Sequence, residues 1–273
     1  MAQPLEKAVI LARGLGTRMR RPDETAGLDA GQAAAADSGV KAMIPIGRPF
    51  LDYVLSALAD AGFRSVCLVI GPEHDAVRAY YTGTAVPTRI AVAFAIQERP
   101  LGTADAVAAA AGFAGSDPFL MINSDNYYPP AALEALRRLG RPGVAVFERD
   151  SLVRDGNVDA ARVRQFAIVR TSPAGELEDI VEKPDAAAID ALGPEVFVSM
   201  NCWAFGPAIF RACASIGLSP RGELELTDAV RFSMASLGER YAVLPFRAPV
   251  LDLSRRTDIA SVAGRLAGTE VRL

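Results

Sequence analysis

A chain of 273 residues that is 51% hydrophobic and 22% charged has a globular composition, and its formal charge of −3 does not suit a general nucleic-acid binder. Its 29 basic residues divide into 26 Arg and 3 Lys (Lys7, Lys41, Lys183) beside a single His, His74, so no metal site with two His ligands can be built from the chain. Cys67, Cys202 and Cys213 lack CxxC spacing, and neither a leader peptide nor an apolar run of membrane-spanning length appears, which predicts a cytoplasmic protein in a reducing compartment with no membrane association.

Apolar runs bounded by turn residues alternate with stretches of helical period. The pattern predicts a strand over 7–12, a helix over 49–61 ended by Gly62, a strand over 65–70 and a helix over 73–81. A strand over 90–96, a helix over 103–111 and a strand over 118–123 follow. Continuous apolar strands separated by helices imply a doubly wound α/β domain whose mostly parallel sheet is covered on both faces. Beyond Asp125 a helix over 130–139 leads to strands near 143–148, 164–170, 177–182 and 195–205, which predicts an antiparallel extension and hence a mixed sheet. Helices over 207–216 and near 227–237, a strand over 241–246 and a helix around 256–267 complete the series. The whole, 1–273, reads as one domain with two halves, 1–126 and 127–273. The stretch 21–40 is small, polar and low in complexity, and reads as a flexible loop or lid.

The first strand runs into Ala12-Arg13-Gly14-Leu15-Gly16-Thr17-Arg18-Met19. Glycines directly after a first parallel strand expose backbone N–H groups to a phosphate. A dinucleotide fingerprint would need a third Gly where Met19 stands, and a Walker loop would need a GK[ST] triplet that is absent. Instead Arg13, Arg18, Arg20 and Arg21 fall within nine residues without an acidic neighbour, the local field expected around a triphosphate. Asp125, just past an apolar strand, stands where ligands of open α/β sheets sit, as either a cation ligand or a helix cap. Trp203 and Phe205 alternate in one strand and read as core, and His74 at a helix start reads as a surface residue.

Gly14-x-Gly16-x-Arg18 followed by Lys41-x-x-x-Pro45 resembles the N-terminal signature of the sugar-1-phosphate nucleotidyltransferases. Further matches come in that family's order: Gln97-x-x-Pro100-Leu101-Gly102-Thr103-Ala104, Asn123-Ser124-Asp125, Val181-Glu182-Lys183-Pro184, Asn201, 222–228 (GELELTD) and Asp252. The resemblance implies a Rossmann-like nucleotidyltransferase fold, a Mg²⁺ cofactor, and a nucleoside triphosphate, UTP or dTTP, with a sugar 1-phosphate as partners. It also implies roles, with 1–126 as the nucleotide-binding half and 127–273 as the sugar-phosphate-binding half. Arg18 and Lys41 would meet the triphosphate as catalytic residues; Leu11, Ala12, Gly14, Gly16, Thr17, Gln97, Gly102 and Thr103 would bind the nucleotide; Glu182, Lys183 and Asn201 would bind the sugar phosphate; Asp125 and Asp252 would hold the metal.

In such a transfer the phosphate of the sugar is already an anion near neutral pH, its second pKa being about 6, so positioning and charge neutralisation do the work rather than a general base. The scarcity of lysine then singles out Lys41 and Lys183. Thr103 has a second reading as a cap of the helix that it begins. Arg13 stands where that family most often has Gly, and Ser124 where Gly commonly precedes the acidic residue. Transfer of a cytidylyl group to a non-sugar phosphate and a silent nucleotide-sensing subunit are the other readings that this set of residues allows, and a homo-oligomer is open. The chain shows no hexapeptide period, so a bifunctional acetyltransferase is not expected.

Overall fold

The computed structural model describes residues 3–185, 189 and 195–273. Strand β1 (Lys7–Leu11) sends Ala8 and Ile10 into one core cluster and Val9 into the other, as a strand covered on both faces must. It pairs in parallel with β2 (Ser65–Ile70) on one side and β4 (Phe119–Asn123) on the other, and β3 (Ala91–Ile96) extends the parallel run beyond β2. Past β4 the sheet turns mixed. The nine-residue β9 (Phe197–Phe205) lies antiparallel to β4 and to β6 (Gly143–Glu148), and β10 (Ala242–Phe246) adds to β6 in parallel. The antiparallel pair β7 (Ala167–Thr171) and β8 (Leu177–Val181) branches from β9. Parallel strands with helices on both faces, plus an antiparallel extension, are the architecture expected from the alternation of apolar runs.

Helix α3 (Phe50–Asp60) buries nearly its whole surface against one face. Helix α5 (Thr103–Ala109) and the helices Ala208–Ser215 and Leu226–Leu237 cover the other. Trp203 and Phe205 are core residues here, stacked at 5.3 Å with both 1% exposed. No helix among the described residues is long and apolar enough to cross a membrane.

The structure corrects several local expectations. Within 21–40, Glu24–Ala26 form a 3₁₀ turn and Ala30–Ser38 form helix α2, begun by a reciprocal capping box between Asp29 and Gln32. Gln32 Nε2 also donates to Pro45 O at 3.1 Å, so this stretch is folded onto the body and not an open loop. The strand expected over 164–170 begins only at Ala167, because 164–165 end a 3₁₀ segment, Ala160–Gln165, and a helix over Arg149–Arg154 was not anticipated. Helix α4 (Asp75–Ala79) starts two residues later than expected and runs into a π-helical turn, Tyr80–Thr84. His74 is buried, not on the surface: Gly71 N–H donates to its Nδ1 at 3.3 Å, and burial holds its pKa below the ordinary histidine value.

Candidate active site

The carboxyl ends of β1, β2, β3 and β4 share one edge of the sheet, where the connections to the following helices leave a crevice. A cavity of about 360 Å³ opens there, and Leu11, Ala12, Gly14, Thr17, Lys41, Gln97, Gly102, Thr103 and Asp125 all line it. Gly16 lies beneath the loop. It precedes the one-turn helix α1 (Thr17–Arg20) with φ 62°, and a side chain there would collide with the carbonyl of Gly39 at the end of α2. Two glycines thus let the phosphate-type loop and the end of α2 pack backbone against backbone. Arg256 completes the attachment: its Nε donates to Met19 O at 2.9 Å and its Nη2 meets Asp37 of α2.

The charged centre is built from two ion pairs. Lys41 Nζ donates to Asp125 Oδ2 at 2.8 Å. Burial works against the Lys41 charge, but Asp125 first and then Asp252 outweigh it and hold the ammonium above its ordinary pKa. Asp252 is brought beside Asp125 by a two-stranded antiparallel ribbon of β5 (Asn126–Tyr127) and β11 (Leu251–Asp252), which sets Asp252 opposite Asn126. Leu253 N–H closes it by donating to Asp125 O at 2.8 Å. Asp252 is 3% exposed and accepts from Arg162 Nη2 at 2.7 Å and from Ser254 Oγ. Burial, then the nearby Asp125 charge, push its carboxyl up to about 6. Two neighbouring carboxylates, each paired with a fixed cation, are a donor set suited to a hard divalent ion.

On the opposite wall Gln97 Nε2 donates to Gly102 O at 3.0 Å and to Asp105 Oδ2 at 2.7 Å. Both amide hydrogens are thereby engaged, and Oε1 is the atom free to meet a ligand. Thr103 does not cap its own helix. Its Oγ1 accepts from Leu226 N–H at 2.9 Å and so anchors the start of the helix Leu226–Leu237, while Ala104 N–H donates to Leu224 O.

The structure does not bring every expected residue to this cavity. Arg18 faces a second chamber of about 440 Å³ with Arg21, Arg255 and Arg256. Glu182, Lys183 and Asn201 lie outside the first cavity's wall. Glu182 sits 3.7 Å from Arg221 Nη2, and burial raises its pKa. Lys183 is exposed and has φ 46°. Asn201 has φ 56° and sits where the register of β9 against β6 slips. A bulge of this kind re-aims a side chain, and Tyr128 Oη locks it by donating to Met200 O at 2.7 Å. The antiparallel register of β9 with β4 carries Asn201 toward the Asn123 end, the same sheet edge as Asp125.

The family model for nucleotidyl transferases matches residues 36–247. The chain belongs to the nucleotidyl transferase family. Among curated relatives, a glucose-1-phosphate thymidylyltransferase of Streptomyces griseus is 31% identical over 83% of this chain and 56% of its own length. The UTP–glucose-1-phosphate uridylyltransferase AglF of Haloferax volcanii is 25% identical over 82% of each. The chain spans little more than half the length of the first of these relatives. A solved UDP-glucose pyrophosphorylase complexed with UDP-glucose superposes with a TM-score of 0.73 over 97% of this chain and all of that one, at 18% identity, which makes the fold a shared one.

Two residues of this site escaped sequence reasoning. Arg162, 2% exposed, bridges Asp252 and Asp258, yet nothing in the sequence separates it from 25 other arginines. Tyr128, 2% exposed, reaches the backbone of both Asn123 and Met200 through its hydroxyl. An isolated polar aromatic beside the expected metal carboxylate was its one available signal.

Proposed function

We propose that this chain transfers a nucleotidyl group from a nucleoside triphosphate, UTP or dTTP, to a sugar 1-phosphate, releasing pyrophosphate. The observation that carries this is the Lys41–Asp125 pair, 2.8 Å apart at the carboxyl edge of the sheet and facing the glycine loop. A cation and an acidic ligand held together in a crevice of about 360 Å³ suit in-line attack of one phosphate on another. Gly14 and the backbone from Leu11 to Thr17 cradle the nucleotide; Lys41 in the cavity, with Arg18 acting on it from the adjoining chamber, neutralises the charge that builds on the departing pyrophosphate. Gln97 Oε1 accepts from the ring N–H of uracil or thymine, since its NH₂ is already bonded to Gly102 O and Asp105 Oδ2. Glu182, Lys183 and Asn201 take the sugar phosphate from the side of β9.

Asp125 and Asp252 would hold Mg²⁺ in this reading. The ion supplies Lewis-acid stabilisation of the phosphoryl oxygens when bound. Three buried free thiols, Cys67, Cys202 and Cys213, fit a cytoplasmic setting.

A pyrophosphate-release screen of four or five triphosphates against a panel of sugar 1-phosphates, with Mg²⁺ and with EDTA, tests the proposal. Release with UTP or dTTP and a hexose 1-phosphate, lost in EDTA, is expected. Triphosphate binding without turnover across the panel would refute it in favour of a sensor, and turnover with CTP and a non-sugar phosphate would replace the acceptor class.

A further inference from the structure

The residue at position 13 adds a contact that the proposed reaction does not require. Among the described residues Arg13 is the side chain with two buried nitrogens, Nε and Nη1, that have no hydrogen-bond partner. Its side chain is 7% exposed and nevertheless lines the nucleotide cavity. The third nitrogen, Nη2, meets Glu73 Oε2 at 3.3 Å. Room for this arrangement comes from Gly71, where an added Cβ would collide with both Arg13 Nε and Glu73 Oε2. A glycine seat, an acidic anchor and two idle donors make a built position and not a stray surface arginine.

Its place in the sheet indicates what it meets. Gly71 directly follows β2, and the preceding Ile70 O accepts from Gln97 N–H at 2.9 Å. The guanidinium therefore lies on the β2–β3 side with Gln97, whereas Lys41 and Asp125 lie on the β4 side with the phosphates. Glu73 is 52% exposed and free to follow a rotation of the Arg13 tip toward the cavity. Beside an open acceptor at Gln97, idle donors complement a ring carbonyl adjacent to a ring N–H, the edge that uracil, thymine and guanine present and adenine lacks.

We infer that Arg13 is a specificity-determining residue that donates to the ring carbonyl of the nucleobase. This rests on the nucleotide occupying the cavity as proposed above. Titrations of wild type and Arg13→Met with UTP, dTTP, ATP and UMP in Mg²⁺ buffer test it. The loss of a charged donor to a carbonyl is expected to weaken UTP and dTTP about 10–100-fold and UMP by a similar factor, with ATP changed less than about threefold. Arg13→Lys, which keeps the charge but loses the fork, is expected to weaken UTP by about tenfold or more and serves if the Met variant fails to fold. Equal losses on UTP and ATP, a loss on UTP that vanishes with UMP, or unchanged UTP binding would each overturn the inference. Wild type that binds UTP over ATP but turns over no substrate pair would leave Arg13's role standing and remove the transferase reading instead.

Discussion

Arg162→Met probes the buried charge centre through its least exposed member. In the intact protein its two terminal nitrogens meet Asp252 Oδ2 at 2.7 Å and Asp258 Oδ1 at 2.9 Å. Methionine keeps an unbranched stem and removes the charge. Asp258 would still accept from Ser254 N–H at 2.9 Å and Arg255 N–H at 2.7 Å, so its carboxylate stays satisfied. Asp252 would keep the Ser254 hydroxyl bond at 2.5 Å and the weaker pull of Lys41, against the repelling Asp125. Removing one member of a buried ion pair costs about 3–5 kcal/mol, and with Asp258 still supported the lower end applies, about 3 kcal/mol. The cost depends on pH. Asp252 is pushed up to about 6 already and climbs further without Arg162. Below that range the Asp252 carboxyl holds its proton in both proteins and the substitution removes only the Asp258 contact, so the penalty shrinks to about 1 kcal/mol at pH 5. Urea unfolding followed by fluorescence of the single, buried Trp203 measures both values. Adding Asp252→Asn to the variant should recover most of the loss at pH 8. A penalty equal at pH 5 and pH 8, or below about 1 kcal/mol at pH 8, would refute the reasoning.

The same shift predicts that the ligand-free wild type loses stability as pH rises from about 4 to about 6, because the unfolded Asp252 has already released the proton that the folded one keeps. The full span is about 3 kcal/mol, and Asp252→Asn should flatten it in a pH series of melting curves. Lys41→Met should lower kcat about 10²–10³-fold in pyrophosphate-release assays while the far-ultraviolet dichroism is unchanged. Gly16→Ala puts a Cβ at φ 62° against the Gly39 carbonyl, and should cost at least about 2 kcal/mol in denaturant unfolding.

What was legible in the sequence follows from how far apart the interacting groups lie. Strands at 65–70 and 143–148 were legible to the residue because a strand buried on both faces writes itself as an unbroken apolar run. The β5–β11 ribbon has two residues in each strand, too few to show any period, yet it is what brings Asp252 beside Asp125. Helix α2 was missed because its one buried position is Ala36, which leaves no apolar stripe. Its start was readable in principle, with Asp29 three residues before Gln32. The Gly14–Arg18 loop, Lys41, Gln97 and Asp125 could be grouped from motif order alone, whereas Thr103 bonds across 123 positions and Arg162 across 90 and 96. Such partners are properties of the folded sheet and leave no mark on the local sequence.

The arginine clamp at position 256 also bears on how the molecule assembles. Arg256 reaches Met19 O across 237 positions, and the helix that it precedes, Asp258–Leu266, contributes three buried apolar residues to the same core as β1. Until that distant segment docks, the first turn of the nucleotide loop has lost its outer brace, so loop closure over most of the chain precedes a finished binding crevice. During synthesis from the N-terminus the parallel strands can pair early while the loop between β1 and α2 waits. Refolding should therefore show two kinetic phases, with recovery of nucleotide binding lagging behind recovery of sheet structure.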